Sequence, residues 1–332
     1  MRFILRAILL LVLIALILAL PSIATSYYTS LVIKIMIYAL FALSLQLLVG
    51  CTGLVSLGHC AFFGIAAYFV TLLSPESGAG NMLLLLPGAV LAAMLYAVVT
   101  GALALRTKGI YFIMVTLAFA QMAYYVFHDT ALGGGTDGIY LYFRPEIRLG
   151  DWVLLNIDNQ FVFYVFTLAC LLLTWVFLSL LMRSRFGAAL TGIRVNEQRM
   201  RAAGYSTFQY KLTAYIIAAG LAGVAGVLYA AKDGYVNPEL LAWEQSGLVL
   251  LMVILGGMGR LWGAVVGAVA LTLLQEVFQS QALFGEFAKN WHLTFGLAII
   301  ALVAALPQGL AGLPDQWRNR SRSKSITSAP AQ

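Results

Sequence analysis

Apolar runs about one membrane thickness long alternate with short polar stretches along most of the chain. They fall at residues 3–20, 31–49, 58–73, 82–105, 110–127, 161–182, 212–231, 247–278 and 292–306. A helix rises about 1.5 Å per residue, so about 20 apolar residues cross the hydrocarbon core. The run at 58–73 is short and glycine-rich. The run at 247–278 is too long for one span. It is broken by Gly256, Gly257, Gly259, Arg260 and Gly263, and divides there into two. The pattern predicts an all-α, polytopic transmembrane helical bundle of about ten segments.

Composition agrees. Of 332 residues, 62% are hydrophobic and 10% charged, against about 25% charged in soluble domains. Too few charges remain to cover a surface in water, whereas lipid solvates an apolar exterior. The net charge of +7 is spread over short loops, which argues against a nucleic-acid-binding patch. With the N-terminus in the cytoplasm, 15 of the 20 Lys and Arg residues fall on one side. Arg2 and Arg6, Arg106 and Lys108, six bases between Arg183 and Lys211, Arg260, and four in the tail make up that set. This is the positive-inside pattern, and both termini are expected to be cytoplasmic. Ten of the 13 acids lie opposite, Glu239, Glu244 and Glu286 among them.

Residues 1–310 read as one membrane domain, with 183–210 as a long cytoplasmic loop and 128–160 as a long external one. Residues 311–332 form a basic, serine-rich cytoplasmic tail, expected to be disordered and held near anionic lipid. Small residues from Ser22 to Ser26 resemble a signal-peptidase site. A retained first helix is the preferred expectation.

In lipid, helices associate through close backbone approach at small residues. Gly220, Gly223 and Gly226 mark one such surface, and Gly259, Gly263 and Gly267, at four-residue spacing, another. The pattern leaves open whether these pack within the chain or on another subunit.

Candidate chemistry is sparse. Cys51, Cys60 and Cys170 fit no metal spacing, and no metal site is expected. The GGGTDG stretch at 133–138 lacks the Gly-Lys-Ser/Thr ending of a phosphate loop. Any ATP hydrolysis therefore belongs to another chain. Two ionisable groups, Lys34 and Glu276, fall well inside apolar runs, where charge is costly. Residues 50–64 (GCTGLVSLGHCAFFG) interrupt an apolar region with glycines and hydroxyls. Broken backbone at membrane depth survives only against protein or a watery cavity, so Thr52, Gly53, Ser56, Gly58, His59 and Gly64 are candidates for a translocation path. An ordinary turn into a short helix is the alternative. In the internal loop, 194–204 (RVNEQRMRAAG) can form a short helix with Asn196 as its cap and Gly204 at its left-handed end. Such a helix could dock into a partner or lie on lipid.

These stretches resemble the LivM-type permeases of branched-chain amino acid ATP-binding-cassette importers. The similarity runs over about 35–310. It rests on 42–50 (ALSLQLLVG), 52–68 (TGLVSLGHCAFFGIAAY), 108–119 (KGIYFIMVTLAF), 133–138, 184–190 (SRFGAAL), 194–197 (RVNE), 203–204 (AG) and 246–267, including LGGMG at 255–259. The resemblance implies a multi-pass subunit of a bacterial inner membrane that binds no cofactor itself. Its implied partners are a paralogous permease, two cytoplasmic ATPase subunits carrying ATP and magnesium, and an extracytoplasmic substrate-binding protein. It makes Arg194, Asn196, Glu197, Arg201, Ala203 and Gly204 the contact to the ATPase. This chain has Arg-Val-Asn-Glu where the usual pattern has Arg-Glu-Asn-Glu. Urea and short amides are alternative substrates in the same family. An ion-coupled carrier using Glu276 and His59, or an intramembrane enzyme using His59, would be different classes of function.

Overall fold

A computed structural model describes residues 25–75, 77–149, 152–280, 285, 291–306 and 309–312. The apolar run at 3–20, the Ser22–Ala24 part of the signal-peptidase-like stretch, Glu286 and the tail from 313 onward lie outside the described residues. The rest is an all-α membrane bundle with very little sheet. Helix α1 is Ser26–Gln46 and runs on through a π-helical turn, Leu47–Thr52. Then follow α2 (His59–Leu73), α3 (Met82–Ala104), α4 (Ile110–Asp129) and α5 (Gln160–Arg183). Two shorter helices come next, α6 (Arg185–Val195) and α7 (Glu197–Ala202). The chain continues through α8 (Thr207–Asp233), α9 (Trp243–Gly256), α10 (Leu261–Gln279) and α11 (Trp291–Ala305). Among the described residues, seven helices are long and apolar enough to cross a membrane, while α2 and α9 are apolar but shorter.

Helix starts follow local chemistry. Asn81 accepts the Leu83 N–H at 3.0 Å, and Asn159 the Phe161 N–H at 2.9 Å, satisfying donors that lipid could not. Two small antiparallel strand pairs, absent from the all-α expectation, lie between the helices. Strand β1 (Ile139–Tyr140) pairs with β4 (Tyr235–Val236), and β2 (Ile147–Leu149) with β3 (Trp152–Leu155). Neither β1 nor β4 exceeds two residues, so neither leaves a periodic signal in the sequence.

The core is α1, α2 and α8, which meet through glycines and alanines and, between them, through rings, with Phe41 stacked on Phe63 and Phe62 edge-on to Tyr215. A Cβ on Gly226 would stand 2.0 Å from the Phe63 carbonyl oxygen, so the backbones of α8 and α2 touch. Gly223 faces Ala66 and Ala93, and Gly220 faces Met94 on α3. A Cβ on Gly267 would lie 1.9 Å from the Met252 carbonyl, and one on Gly263 2.8 Å from the Gly256 carbonyl, which clasps α10 to α9. Gly220, Gly223, Gly226, Gly263 and Gly267 thus pack within this chain. Gly259 does not share that face. It sits before α10 in a turn, at φ 91°, because the chain must reverse there.

Candidate functional site

The long connection at 183–210 is mostly helical. Asn196, in extended conformation, separates α6 from α7, and its side chain accepts the Arg199 N–H at 2.9 Å. Arg194 consequently lies in the last turn of α6 instead of opening the second helix. At the other end, Gly204 has φ 86°. Its N–H reaches the Arg201 carbonyl (2.9 Å) and the Tyr205 N–H the Met200 carbonyl (3.1 Å), the paired bonds of a Schellman cap. Ala203, just before Gly204, is the C-cap residue that follows the last helical residue, Ala202.

Glu197 fastens this short helix to α8. Its Oε1 accepts from Lys211 Nζ (3.0 Å), Thr207 Oγ1 (3.0 Å) and Arg201 Nη2 (2.5 Å). Burial alone would push the Glu197 carboxyl up. The Lys211 ammonium and the Arg201 and Thr207 hydrogen bonds overcome that and hold it down at about 2. The rest of α7 faces outward, with Gln198, Arg199 and Arg201 exposed and the apolar Val195, Tyr205 and Phe208 exposed around it.

Arg194 joins this loop to the membrane breaks. Its Nη1 donates to the Gly50 carbonyl inside the π-helical turn. A Cβ on Gly50 would stand 3.0 Å from the Gly259 nitrogen, and one on Gly259 3.5 Å from Arg194 Nη1. Gln46 Nε2 donates to the Arg260 carbonyl at 3.3 Å. Three interruptions separate in sequence, at 47–53, 194–196 and 257–260, therefore meet at one junction.

Beyond Gly53 (φ 74°) the chain climbs back into the bundle without helix, and α2 begins at His59. Thr52 Oγ1 donates to the Leu48 carbonyl (2.6 Å), and the Ser56 hydroxyl accepts the Gly58 N–H (3.3 Å). Ser44 gives its single hydrogen to the Phe41 carbonyl (2.6 Å), so His59 Nε2 carries a hydrogen and donates to Ser44 Oγ (2.8 Å). The imidazole stacks on Phe41, and its Nδ1 has no partner among the described residues. A Cβ on Gly58 would stand 2.4 Å from the Thr116 carbonyl of α4, and Gly64 packs on Leu241. Thr52, Ser56, Gly58, His59 and Gly64 are buried and Gly53 exposed. This non-helical backbone is sheltered by protein, as membrane depth requires. Among the described residues, no three His, Cys, Asp or Glu gather as a metal site would need. Glu276 lies near the C-terminal end of α10, where it accepts from Tyr27.

One segment is misplaced by the sequence pattern. Residues 237–246 read as external loop, with the next helix from Gly247, but they descend beside α2 and α9 begins at Trp243. The Cys60 N–H donates to Ser246 Oγ at 2.8 Å and Cys60 Sγ lies 3.1 Å from the Leu241 carbonyl. The signal that could have found this re-entry is the burial-prone Pro238-Glu-Leu-Leu241 in a nominally polar loop. Pro238, Leu240 and Leu241 are all buried.

Residues 27–304 match the family described as branched-chain amino acid transport system / permease component. The chain belongs to this permease family. The permease is 32% identical over 295 residues to the high-affinity branched-chain amino acid transport system permease protein LivM of Salmonella typhimurium, covering 83% of this chain and 68% of the relative. Its identity to Escherichia coli LivM is 31% over 294 residues, with the same coverage. Escherichia coli LivH, a second permease protein, is 24% identical over 294 residues, covering 84% of this chain and 92% of that one. No solved structure matches at a significant level. As a permease component, the chain is a membrane transport subunit and not an enzyme.

Proposed function

We propose that this permease is one half of the membrane channel of an ATP-driven importer of branched-chain amino acids in a bacterial inner membrane. It pairs with a second, related permease, is driven by two cytoplasmic ATPase subunits that carry ATP and magnesium, and receives substrate from an extracytoplasmic binding protein. Both LivM and LivH relatives match nearly the whole of its membrane domain, which supports a partner of related sequence. The observation that carries the drive mechanism is the junction of the three interruptions. Helix α7 is exposed, capped at both ends, and fixed to α8 through Glu197, while Arg194 ties the same loop to the backbone of the π-helical turn. A push on α7 by an ATPase then reaches the broken segment through short polar contacts without deforming a long helix. Arg194, Asn196, Glu197, Arg201, Ala203 and Gly204 form the lever, and Thr52, Gly53, Ser56, Gly58, His59 and Gly64 the inner stretch of path that it moves.

The test is isolation of the tagged chain in mild detergent, alongside leucine uptake in membrane vesicles. A related permease and two ATPase subunits should co-purify, and uptake should require ATP. Glu197→Arg places a cation against Lys211 and Arg201, and should abolish both ATPase association and uptake. Uptake that survives Glu197→Arg, or that runs on an ion gradient without ATP, would overturn the proposal in favour of an ion-coupled carrier.

A further inference from the structure

Between α4 and the start of α9 lies a cavity of about 470 Å³, within the roughly 300–1,000 Å³ typical of ligand sites. Gln121, Tyr125, Glu239, Trp243, Glu244 and Gln245 line it. Its depth follows from α4. Gln121 is 11 residues beyond Ile110 in a helix of 20 residues, which at about 1.5 Å per residue is roughly 17 Å from the inner end. That is about half of a hydrocarbon core of about 30 Å. Tyr125, 15 residues beyond Ile110, lines the same cavity roughly 22 Å from that end, so the cavity that holds Glu239 and Glu244 reaches from mid-depth towards the outer third, although the sequence pattern puts both in external loop.

Carboxylates exposed on a helix bundle at mid-membrane cannot face lipid tails without a large cost. The neighbouring surfaces make the contrast. Helix α3 turns Leu84, Leu91, Leu95 and Val99 outward, and α5 turns Leu173, Val176 and Leu180 outward, as lipid prefers. Among the described residues, Glu146, Glu197 and Asp233 pair with Arg148, with Arg201 and Lys211, and with Lys232 respectively. Neither Glu239 nor Glu244 is in an ion pair there. The Glu239 carboxylate accepts from the Asn237 amide at 3.2 Å. The cavity thus offers two carboxylates without a cation, two amides able to hydrogen-bond a carboxylate, and aromatic walls suited to an aliphatic side chain.

We infer that this cavity is a mid-membrane station on the translocation route, in which Glu239 and Glu244 receive the ammonium group of a zwitterionic amino acid. Gln121 and Gln245 hydrogen-bond its carboxylate, and Tyr125 and Trp243 pack on its side chain. The inference rests on the amino-acid importer reading above. It adds the chemistry that would discriminate an α-amino acid from a neutral amide such as urea within the membrane itself.

Radiolabelled leucine uptake by cells carrying the complete transporter tests it. At equal membrane levels, Glu244→Gln should lower uptake about tenfold or more, the scale of losing a hydrogen bond to a charged group, and Glu244→Asp should retain most of it. A second readout is independent of transport rate. Glu244→Cys should be labelled by a small cationic thiol reagent applied from outside, with the parent chain as control, and saturating leucine should slow the labelling. Unchanged uptake in Glu244→Gln, with normal leucine uptake by the parent, overturns the ammonium site while leaving the importer reading intact. Failure of the parent to import leucine overturns the importer reading first. Labelling that leucine does not slow marks a water-filled wall without a substrate site and overturns the inference. A cysteine that stays unlabelled does so too, and its cross-linking to the second permease would mark the surface as an interface between subunits.

Discussion

Helices α5 and α8 are both apolar enough to cross a membrane, and α5 is the more apolar of the two. Yet only 22% of its apolar stretch is buried, against 72% for α8. In water the order would be reversed. Lipid removes the penalty for exposed leucine, so hydrophobicity no longer sorts inside from outside. What sorts them is bulk. Helix α8 carries Gly220, Gly223 and Gly226 among alanines and lies against backbone, while α5 carries Leu172, Leu173, Trp175 and Phe177 exposed, uncovered by any other described residue.

The strongest way to break this comparison is to give α8 the bulk of α5. Gly226→Val would drive a side chain into the Phe63 carbonyl, and overpacking of this kind costs typically about 1–3 kcal/mol, more where backbone must move. Most of the chain should be lost from the detergent-soluble, monodisperse fraction, as read by fluorescence size-exclusion. Recovery equal to the parent would show that α2 and α8 are not in backbone contact. A smaller effect is expected at the inner loop, where polarity and not bulk holds the helix. The Glu197 carboxyl is depressed from 4.5 to about 2. Its contribution is therefore fully present above about pH 4.5 and is lost as pH falls towards 2. Hydrogen exchange at amides 197–205, corrected for intrinsic rate, should be flat from pH 8 to 5 and accelerate below about pH 4, and Glu197→Gln should remove that acid step. The smallest effect should come from the outside. Leu173→Ala on α5 should change thermal stability in detergent by no more than about 0.5 kcal/mol, as for surface substitutions generally. A larger loss would mean that this face of α5 is packed in the isolated chain.

Much of the architecture is legible in the apolar runs. The division at Gly256–Gly263 is real because a chain reversal at the membrane surface needs positive φ at Gly257 and Gly259. Asn196 and Gly204 are legible for the same local reason, since cap chemistry is written within a few residues. Long-range proximity is not. Nothing near Arg194 in sequence points to the Gly50 carbonyl, and the two join only because α6 folds back under the bundle. The re-entry of Pro238–Leu241 is hidden by length. A stretch of about 15 residues between two apolar runs is long enough for an ordinary loop or for a descent and return, and hydropathy is the same for both.

The contact between Phe63 and Gly226 also has a history within each molecule's synthesis. At about 5–20 residues per second, the 163 residues between those positions take roughly 8–33 seconds to appear. For that interval α2, with its broken polar approach and the His59 imidazole, sits in or beside the bilayer without the helix that later covers it. Helices α1, α3 and α4, all made before α8, shelter part of it, and the face that α8 later covers is left to lipid or to the insertion machinery. The glycines of α8 close the bundle only after two thirds of the chain has been made, and a nascent chain arrested before α8 would leave the costliest segment of the permease only partly covered.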